Sequence, residues 1–483
     1  MIDAQTAYRA LTSRDSRFDG LFYVGVTSTG IYCRPVCPVK APLAKNCLFF
    51  ESAEAAEKAR FRPCLRCRPE LAPGHAPVDG SRRVADELIR RIAEGALEEE
   101  SSLESIAALF SLSLRQLRRI VQKELGVSPR ELRQTRRLLL AKQLLTETGL
   151  PITEIALASG FASLRRFNDV FSKRYRMPPG SLRKQVQSGK LTLSETSTLL
   201  LHYRPPFDWR SLLVFLSARA LKGVEWVTET SYARTVCLNG YKGWIRVSAA
   251  ENALAVEFTH SLTPVLPALL SRLRNLFDLD AHPAAIAEHL QRDPLLRDSL
   301  QQDPGLRVPG AFDLFEMSVR AVLGQQITVK AAVTLGGRFA VAFGEAIATP
   351  FPELTHLTPE ATTVAQEPFA SIASLGITGT RARTLQGLAQ ACARGNLTDY
   401  AARPEQIIAR LTSLPGIGDW TAHYIAMRAL RWPDAFPAGD IVLRKNLGGV
   451  TAKEAERRSA VWRPWRSYAV MHIWQNLTPK KTG

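Results

Sequence analysis

Seven cysteines are present, and four of them fall in a pattern that can do chemistry: Cys33 and Cys37 are separated by three residues, Cys64 and Cys67 by two. Two close thiol pairs beside Pro and Arg residues in tight turns have the spacing of a tetrahedral thiolate zinc site, which supplies folding energy that a small segment lacks. Cys47 has no nearby partner and is read as a buried small residue; Cys237 and Cys392 stand alone, so a disulfide framework is not expected. A second constellation lies in SLPGIGDWTAHYIAMRAL, Ser413 to Leu430. There Pro415, Gly416 and Gly418 predict a tight hairpin before a helix, a helix-hairpin-helix whose backbone N–H groups, with Thr421 just behind, can hold a DNA phosphate. Twenty residues after Trp420, FPAGDIVLRKNLG places the carboxylate of Asp440 at the start of another helix, near that clamp. His423 is expected on the helix exterior without a partner, and Asp419 and Asp434 as solvated turn residues.

The elements that must position these groups belong to several domains, because 483 residues exceed one hydrophobic core. The net charge of +18 divides as +3 over residues 1–80, +9 over 81–190 and +6 over 191–483. A polyanionic partner follows, since basic side chains at phosphates release condensed counterions. No stretch approaches the ~20 apolar residues of a membrane span. The first twenty residues lack a basic start and apolar core, so no export signal and a cytoplasmic location are expected.

Residues 81–190 carry an internal repeat with a period of 50: SLRQLRRIVQKELGVSPRELR from Ser113 aligns with SLRRFNDVFSKRYRMPPGSLR from Ser163. In each copy an Ile-Ala pair (Ile106 and Ala107, Ile155 and Ala156) precedes a turn, and a Ser caps a second, Arg-rich helix. This is helix-turn-helix logic, with Arg115, Gln116 and Arg119 in one copy and Arg165, Arg166 and Asn168 in the other facing the major groove or its phosphates. Phe161, Phe167, Phe171 and Tyr175 are assigned to the core. Residues 191–310 change to alternating runs (LTLSETSTLLLHYRPPFDW, ARTVCLNG, GWIRVSA, ALAVEFT) that predict an antiparallel sheet, then to helical spacing through Leu269, Leu273 and Leu276. Helical periodicity dominates from Phe312. The fold class is therefore multidomain, mainly α with α+β parts.

The runs TGIYCRPVC and FRPCLRCRPE resemble the amino-terminal domain of the Ada family across residues 1–80. The segment ITEIALASGFASLRRFNDVFSKRYRMPPGSLR resembles AraC-type DNA-binding domains, across residues 85–184. The hairpin, Asp440 and the run WRPWRSYAVMHIW resemble helix-hairpin-helix DNA glycosylases of the AlkA type across residues 191–483. The expected domains are a zinc methyl-acceptor (1–80), a DNA-binding domain (81–190), an α+β domain (191–310) and an all-α glycosylase core (311–483).

The resemblance implies one zinc ion on Cys33, Cys37, Cys64 and Cys67, with Cys33 taking a methyl group from a methylated DNA phosphate in a single turnover. It implies Asp440 as catalytic carboxylate and Trp420, Tyr424 and Trp474 around an extruded alkylated base such as 3-methyladenine or 7-methylguanine. The loop AVLGQQITVKAA resembles the family's wedge, with the polar Gln326 where AlkA-type enzymes can use an apolar residue. Related enzymes that also cut the backbone carry a Lys where this chain has Trp420, so a monofunctional glycosylase is implied. No PCHRV-like motif is present, so repair of alkylated guanine oxygen is not expected. The implied partners are damaged and promoter double-stranded DNA and RNA polymerase. Two alternatives remain at this point: a DNA-binding regulator whose glycosylase half is inactive, and a constitutive repair enzyme whose zinc site only holds the fold.

Overall fold

The computed structural model describes residues 3–14, 18, 19, 22–50, 53–69, 80–93, 100–186, 195–395, 397 and 404–475; the boundary expected at 190 lies outside them. The chain divides into two compact units, Met1–Ile92 with Glu99–Arg133, and Gln134–Gly483 with Ala93–Glu98.

The first unit opens on helix α1 (Ala4–Ser13), whose N-terminus is capped by Asp3 accepting from the Gln5 and Thr6 N–H groups at 3.1 and 2.9 Å. A four-stranded sheet follows, β1 (Tyr23–Val26), β2 (Ile31–Cys33), β3 (Cys47–Phe50) and β4 (Arg62–Pro63), in the order β3-β1-β2-β4, with the short helix α2 (Ala53–Lys58) between the last two strands. Among the described residues its largest apolar cluster is small, Ala7, Ala10, Leu11, Phe22 and Val24 with Tyr8, Phe18 and Phe49 packed against them. A core this small needs a second source of stability. Helices α3 (Gly80–Ala93), α4 (Glu100–Leu109) and α5 (Leu114–Leu125) complete the unit with the first part of α6 (Pro129–Glu147). The α4–α5 turn holds Ser111 at φ +55°, a left-handed conformation for a residue with a side chain.

The second unit takes the rest of α6 and adds α7 (Ile152–Ala158), α8 (Leu164–Tyr175) and α9 (Pro179–Val186). Here the equivalent turn uses Gly160 at φ +78°. Then comes an antiparallel sheet of β5 (Thr196–His202), β6 (Glu225–Val227), β7 (Ser231–Leu238), β8 (Tyr241–Ala250) and β9 (Ala253–Thr259), ordered β5-β9-β8-β7-β6. The expected first run ends sooner than its alternation suggested. Asp208 caps α10 (Trp209–Ser217) by accepting from the Ser211 N–H at 2.9 Å, and Leu212, Leu213 and Leu216 bury a helical stripe.

A 3-10 turn (His260–Val265) leads into α11 (Leu266–Leu276), α12 (Pro283–Leu290) and α13 (Pro294–Gln302). The helical half is α14 (Leu314–Leu323), α15 (Val329–Phe343), α16 (Ala361–Gln366), α17 (Phe369–Ala373), α18 (Gly379–Ala393), α19 (Pro404–Thr412), α20 (Asp419–Arg428), α21 (Ile441–Asn446), α22 (Ala452–Arg458) and α23 (Arg466–Gln475). Sheet and helices are locked by a buried ionic chain: Glu316 of α14 binds Arg234 of β7 at 2.7 Å and Arg320 at 2.5 Å, and Arg320 binds Glu225 of β6 at 2.5 Å. Burial opposes the charge on Glu316, but the two guanidiniums prevail and hold its carboxyl at about 2. Asp434, expected in a solvated turn, is instead 4% exposed and paired with Arg466 at 2.8 Å. Its partner lies 32 residues further on, beyond the reach of local pattern.

Candidate functional site

The first centre is assembled by a parallel pairing. β2 runs beside β4, with Ile31 opposite Arg62 and Tyr32 opposite Pro63, so the residues that end the two strands carry Cys33 and Cys64 to the same place. Turns then return Cys37 and Cys67: the Cys37 N–H donates to Arg34 O at 3.1 Å and the Arg68 N–H to Cys64 O at 3.0 Å. All four Sγ atoms lie within 4.8 Å of one another and all four residues are buried. The Arg34 N–H donates to Cys67 Sγ at 3.4 Å, and the buried Arg34 guanidinium is paired with Asp19. Hydrogen bonding to Cys37 and Cys67, with burial, pushes the Cys33 thiol up; the reciprocal bonds from Cys33 and Cys67 pull Cys37 down. Thiols this close cannot all ionise unaided, and a divalent cation among them removes the conflict. Number, spacing and burial fit one zinc ion. Cys47 is outside the cluster; rather than being buried it is partly exposed on β3, with its thiol against Leu43 O.

The second centre surrounds Asp440, the N-cap of α21. Oδ1 accepts from the Leu443 N–H at 2.8 Å and from the Trp474 indole at 3.1 Å; Oδ2 accepts from the Trp420 indole at 3.0 Å. The three aromatics expected together are together: Trp420 and Tyr424, one turn apart on α20, stack with centroids 5.4 Å apart and planes 7° apart, and Trp474 of α23 stands 6.3 Å from Tyr424. Behind Tyr424 is a layer that the sequence did not reveal. Arg428 donates to the Tyr424 hydroxyl at 2.8 Å, to the Gly310 carbonyl at 3.2 Å and to the Pro309 carbonyl. Phe215 of α10 has two guanidiniums over its ring, Arg219 3.8 Å and Arg428 4.9 Å from its centroid. Burial alone would raise the Tyr424 phenol, but Arg428 and Arg219 lower it below its ordinary value. A charged residue one turn after Tyr424, on the same helix face, was the available signal for Arg428; Phe215 and Arg219, some 200 residues away, offered none.

The hairpin joins α19 to α20. Gly416 adopts φ +87°, and a Cβ there would sit 2.0 Å from Thr384 Oγ1, so only glycine fits. A Cβ on Gly418 would meet nothing, which leaves its backbone open to an approaching group. Thr421 is only 3% exposed and its hydroxyl accepts from Gln325 Nε2 at 3.0 Å. Gln325 also donates to Gly416 O at 2.9 Å, while Arg381 grips the Gln325 carbonyl. The α14–α15 loop is thereby strapped to the hairpin, presenting the exposed Gln326 at φ +53°. His423, expected on the exterior, is partly buried, its Nδ1 accepting from the Phe436 N–H at 3.3 Å; burial lowers its pKa.

On α5 and α8, Arg115, Arg119, Arg165, Arg166 and Asn168 are exposed. Gln116 is committed locally: its Oε1 accepts from the Ser113 N–H at 2.8 Å while its own N–H donates to Ser113 Oγ at 3.3 Å, a capping box. Phe161, Phe167 and Phe171 are buried and Tyr175 packs against them.

Comparisons with known proteins match four stretches of the chain to families. Residues 6–70 match the metal binding domain of Ada, 106–185 a helix-turn-helix domain, 198–313 the AlkA N-terminal domain and 319–466 the HhH-GPD superfamily of base excision DNA repair proteins. A 3-methyladenine DNA glycosylase from Archaeoglobus fulgidus shares the fold over 57% of this chain and 97% of its own, with TM-score 0.51 and 18% identity. The class is thus a helix-hairpin-helix DNA repair protein with a metal-binding, DNA-binding amino-terminal region.

The probable bifunctional transcriptional activator/DNA repair enzyme AlkA of Mycobacterium tuberculosis is 37% identical over 98% of this chain and 97% of its own length. DNA-3-methyladenine glycosylase 2 of Escherichia coli is 36% identical over 57% of this chain and 95% of its own length. The chain belongs to the family of bifunctional transcriptional activator/DNA repair enzymes of the AlkA type. Among the described residues no helix is long and apolar enough to cross a membrane.

Proposed function

We propose that this chain releases alkylated bases from double-stranded DNA at Asp440, as a monofunctional DNA-3-methyladenine glycosylase, and takes a methyl group from DNA phosphotriesters at Cys33. The observation that carries the first reading is the carboxylate held between two indoles. Oδ1 has both lone pairs occupied by N–H donors and Oδ2 has one, so Oδ2 retains an acceptor position for a water or the reacting sugar. The Asp440 charge stabilises the oxocarbenium-like sugar as the C1′–N bond breaks, and guides the water whose oxygen bonds to C1′.

Trp420, Tyr424 and Trp474 receive the base once it has left the stack. Alkylation at a ring nitrogen makes that base cationic, which suits aromatic faces and improves the leaving group. The exposed Gly416 and Gly418 backbone takes a phosphate, Thr421 and Gln325 brace it from behind, and Gln326 fills the gap in the duplex. With Trp420 in place of a Lys, no Schiff base forms and the product is an abasic site.

At the other centre Cys33, Cys37, Cys64 and Cys67 would hold the zinc ion, whose charge would keep the thiols ionised and nucleophilic. The Cys33 sulfur attacks the methyl carbon, an S–C bond forms, the C–O bond breaks, and the phosphodiester oxygen leaves with the electron pair. Four thiolates and a divalent cation sum to −2; methylation leaves −1 and weakens repulsion from DNA. That change favours promoter binding through Arg115, Arg119, Arg165, Arg166 and Asn168, with RNA polymerase as the further partner.

The test of the first reading is release of free 3-methyladenine and 7-methylguanine from methylated duplex DNA under single turnover. Wild type should release both, and Asp440→Asn should be slower by roughly 10²–10³-fold. A folded wild type that releases neither base contradicts the reading and leaves a regulator with an inactive glycosylase half.

A further inference from the structure

The two helix-turn-helix copies are built into different parts of the molecule. The division between compact units falls at Arg133, inside α6, so the second copy belongs with the glycosylase half. The contacts are specific. Among the described strands β5 is an edge of its sheet, paired with β9. An edge strand exposes backbone donors and acceptors that must be covered or wetted. At Leu200 both are covered by α6: Gln143 Nε2 donates to Leu200 O at 2.8 Å, and the Leu200 N–H donates to Glu147 Oε2 at 2.8 Å. Gln143 and Glu147 are themselves bonded at 3.1 Å, so the two side chains act as one clip.

Around this clip the apolar residues form one continuous core. Leu144, Leu145 and Ile155 of the helices share it with Leu199, Leu262 and Val265 of the sheet domain, and α7 lies against the 3-10 turn that carries the last two. Burial of these side chains and the two backbone bonds at Leu200 fix the helices to the sheet domain. Meanwhile α8 turns Phe167 and Phe171 into the same core and leaves Arg165, Arg166, Asn168, Lys173 and Arg174 exposed. Its basic face is open while its apolar face is fixed.

We infer that the second helix-turn-helix is a fixed DNA-contacting arm of the base-excision unit: α8 holds duplex phosphates for the glycosylase as well as serving regulation. This rests on the glycosylase reading above. In the full chain, Arg165→Gln/Arg166→Gln should raise the KM for 7-methylguanine release from methylated duplex about tenfold, with a smaller fall in kcat. It should also flatten the log–log salt dependence by about two, as two lost phosphate contacts require.

A second full-length variant, Gln143→Ala/Glu147→Ala, should speed hydrogen exchange at the Leu200 amide and through α7 and α8 together, and raise KM in the same direction. The inference is overturned if an active enzyme keeps its KM and salt slope after α8 is neutralised, or if α7 and α8 exchange through an opening that leaves β5 protected. If wild type releases no base, the glycosylase reading fails, and hydrogen exchange still decides the docking.

Discussion

The thiolate centre at Cys33 and the carboxylate centre at Asp440 hold negative charge in opposite ways. The first packs four sulfurs within 4.8 Å of one another, an arrangement suited to a divalent cation. The second holds one carboxylate with three N–H donors and backs its aromatic wall with the buried Arg428 guanidinium. A centre that needs charge density can be built from two turns of one small sheet. A centre that needs a shaped pocket draws on helices from α10 to α23. The difference predicts how each will break.

The largest effect is expected from the metal. Chelation, or Cys64→Ser, should unfold the zinc sheet, since zinc binding is worth on the order of 10 kcal/mol to such sites; zinc content and circular dichroism report it, and base release should persist. Next, Arg428→Met should strand the Pro309 and Gly310 carbonyls and the Tyr424 hydroxyl, costing about 4 kcal/mol in denaturant unfolding of the glycosylase half. A loss below 1 kcal/mol would show that Arg428 is not a structural support.

Third is a pH effect. Burial holds His472 at about 4, below its ordinary value, with Ser299 Oγ 2.8 Å from Nδ1. The unfolded chain takes up this proton near 6.5 and the folded chain only near 4. The contribution is therefore present above about pH 6.5 and lost on the way down to about 4, on the order of 3 kcal/mol. His472→Gln should flatten that slope, measured as stability against pH. Smallest, Trp420→Phe keeps a ring but removes one donor to Asp440, and should lower kcat about tenfold with KM little changed. Equal kcat would mean that the indole only packs.

How much could be read in the sequence follows the same division. The four ligands were legible because short spacing encodes them, and Asp440 with its aromatics because a motif carries it. The Ser113–Gln116 capping box was also a local pattern, and it makes Gln116 a structural residue first. Asp434, Phe215, Arg219 and Gln325 were not legible as they stand, because their partners are distant in the chain and only packing supplies them. The short strand β6 was missed for a similar reason: three residues at a sheet edge have no periodicity to read.

If two independent chemistries share this chain, one crossed assay separates them. Methylated duplex DNA carrying both damaged bases and methyl phosphotriesters is given to Asp440→Asn and to Cys33→Ala, and free base and methyl-cysteine are measured for each. Base release lost only in the first variant and methyl transfer lost only in the second is the predicted result. Base release that survives Asp440→Asn unchanged, or methyl-cysteine formed without Cys33, would contradict it.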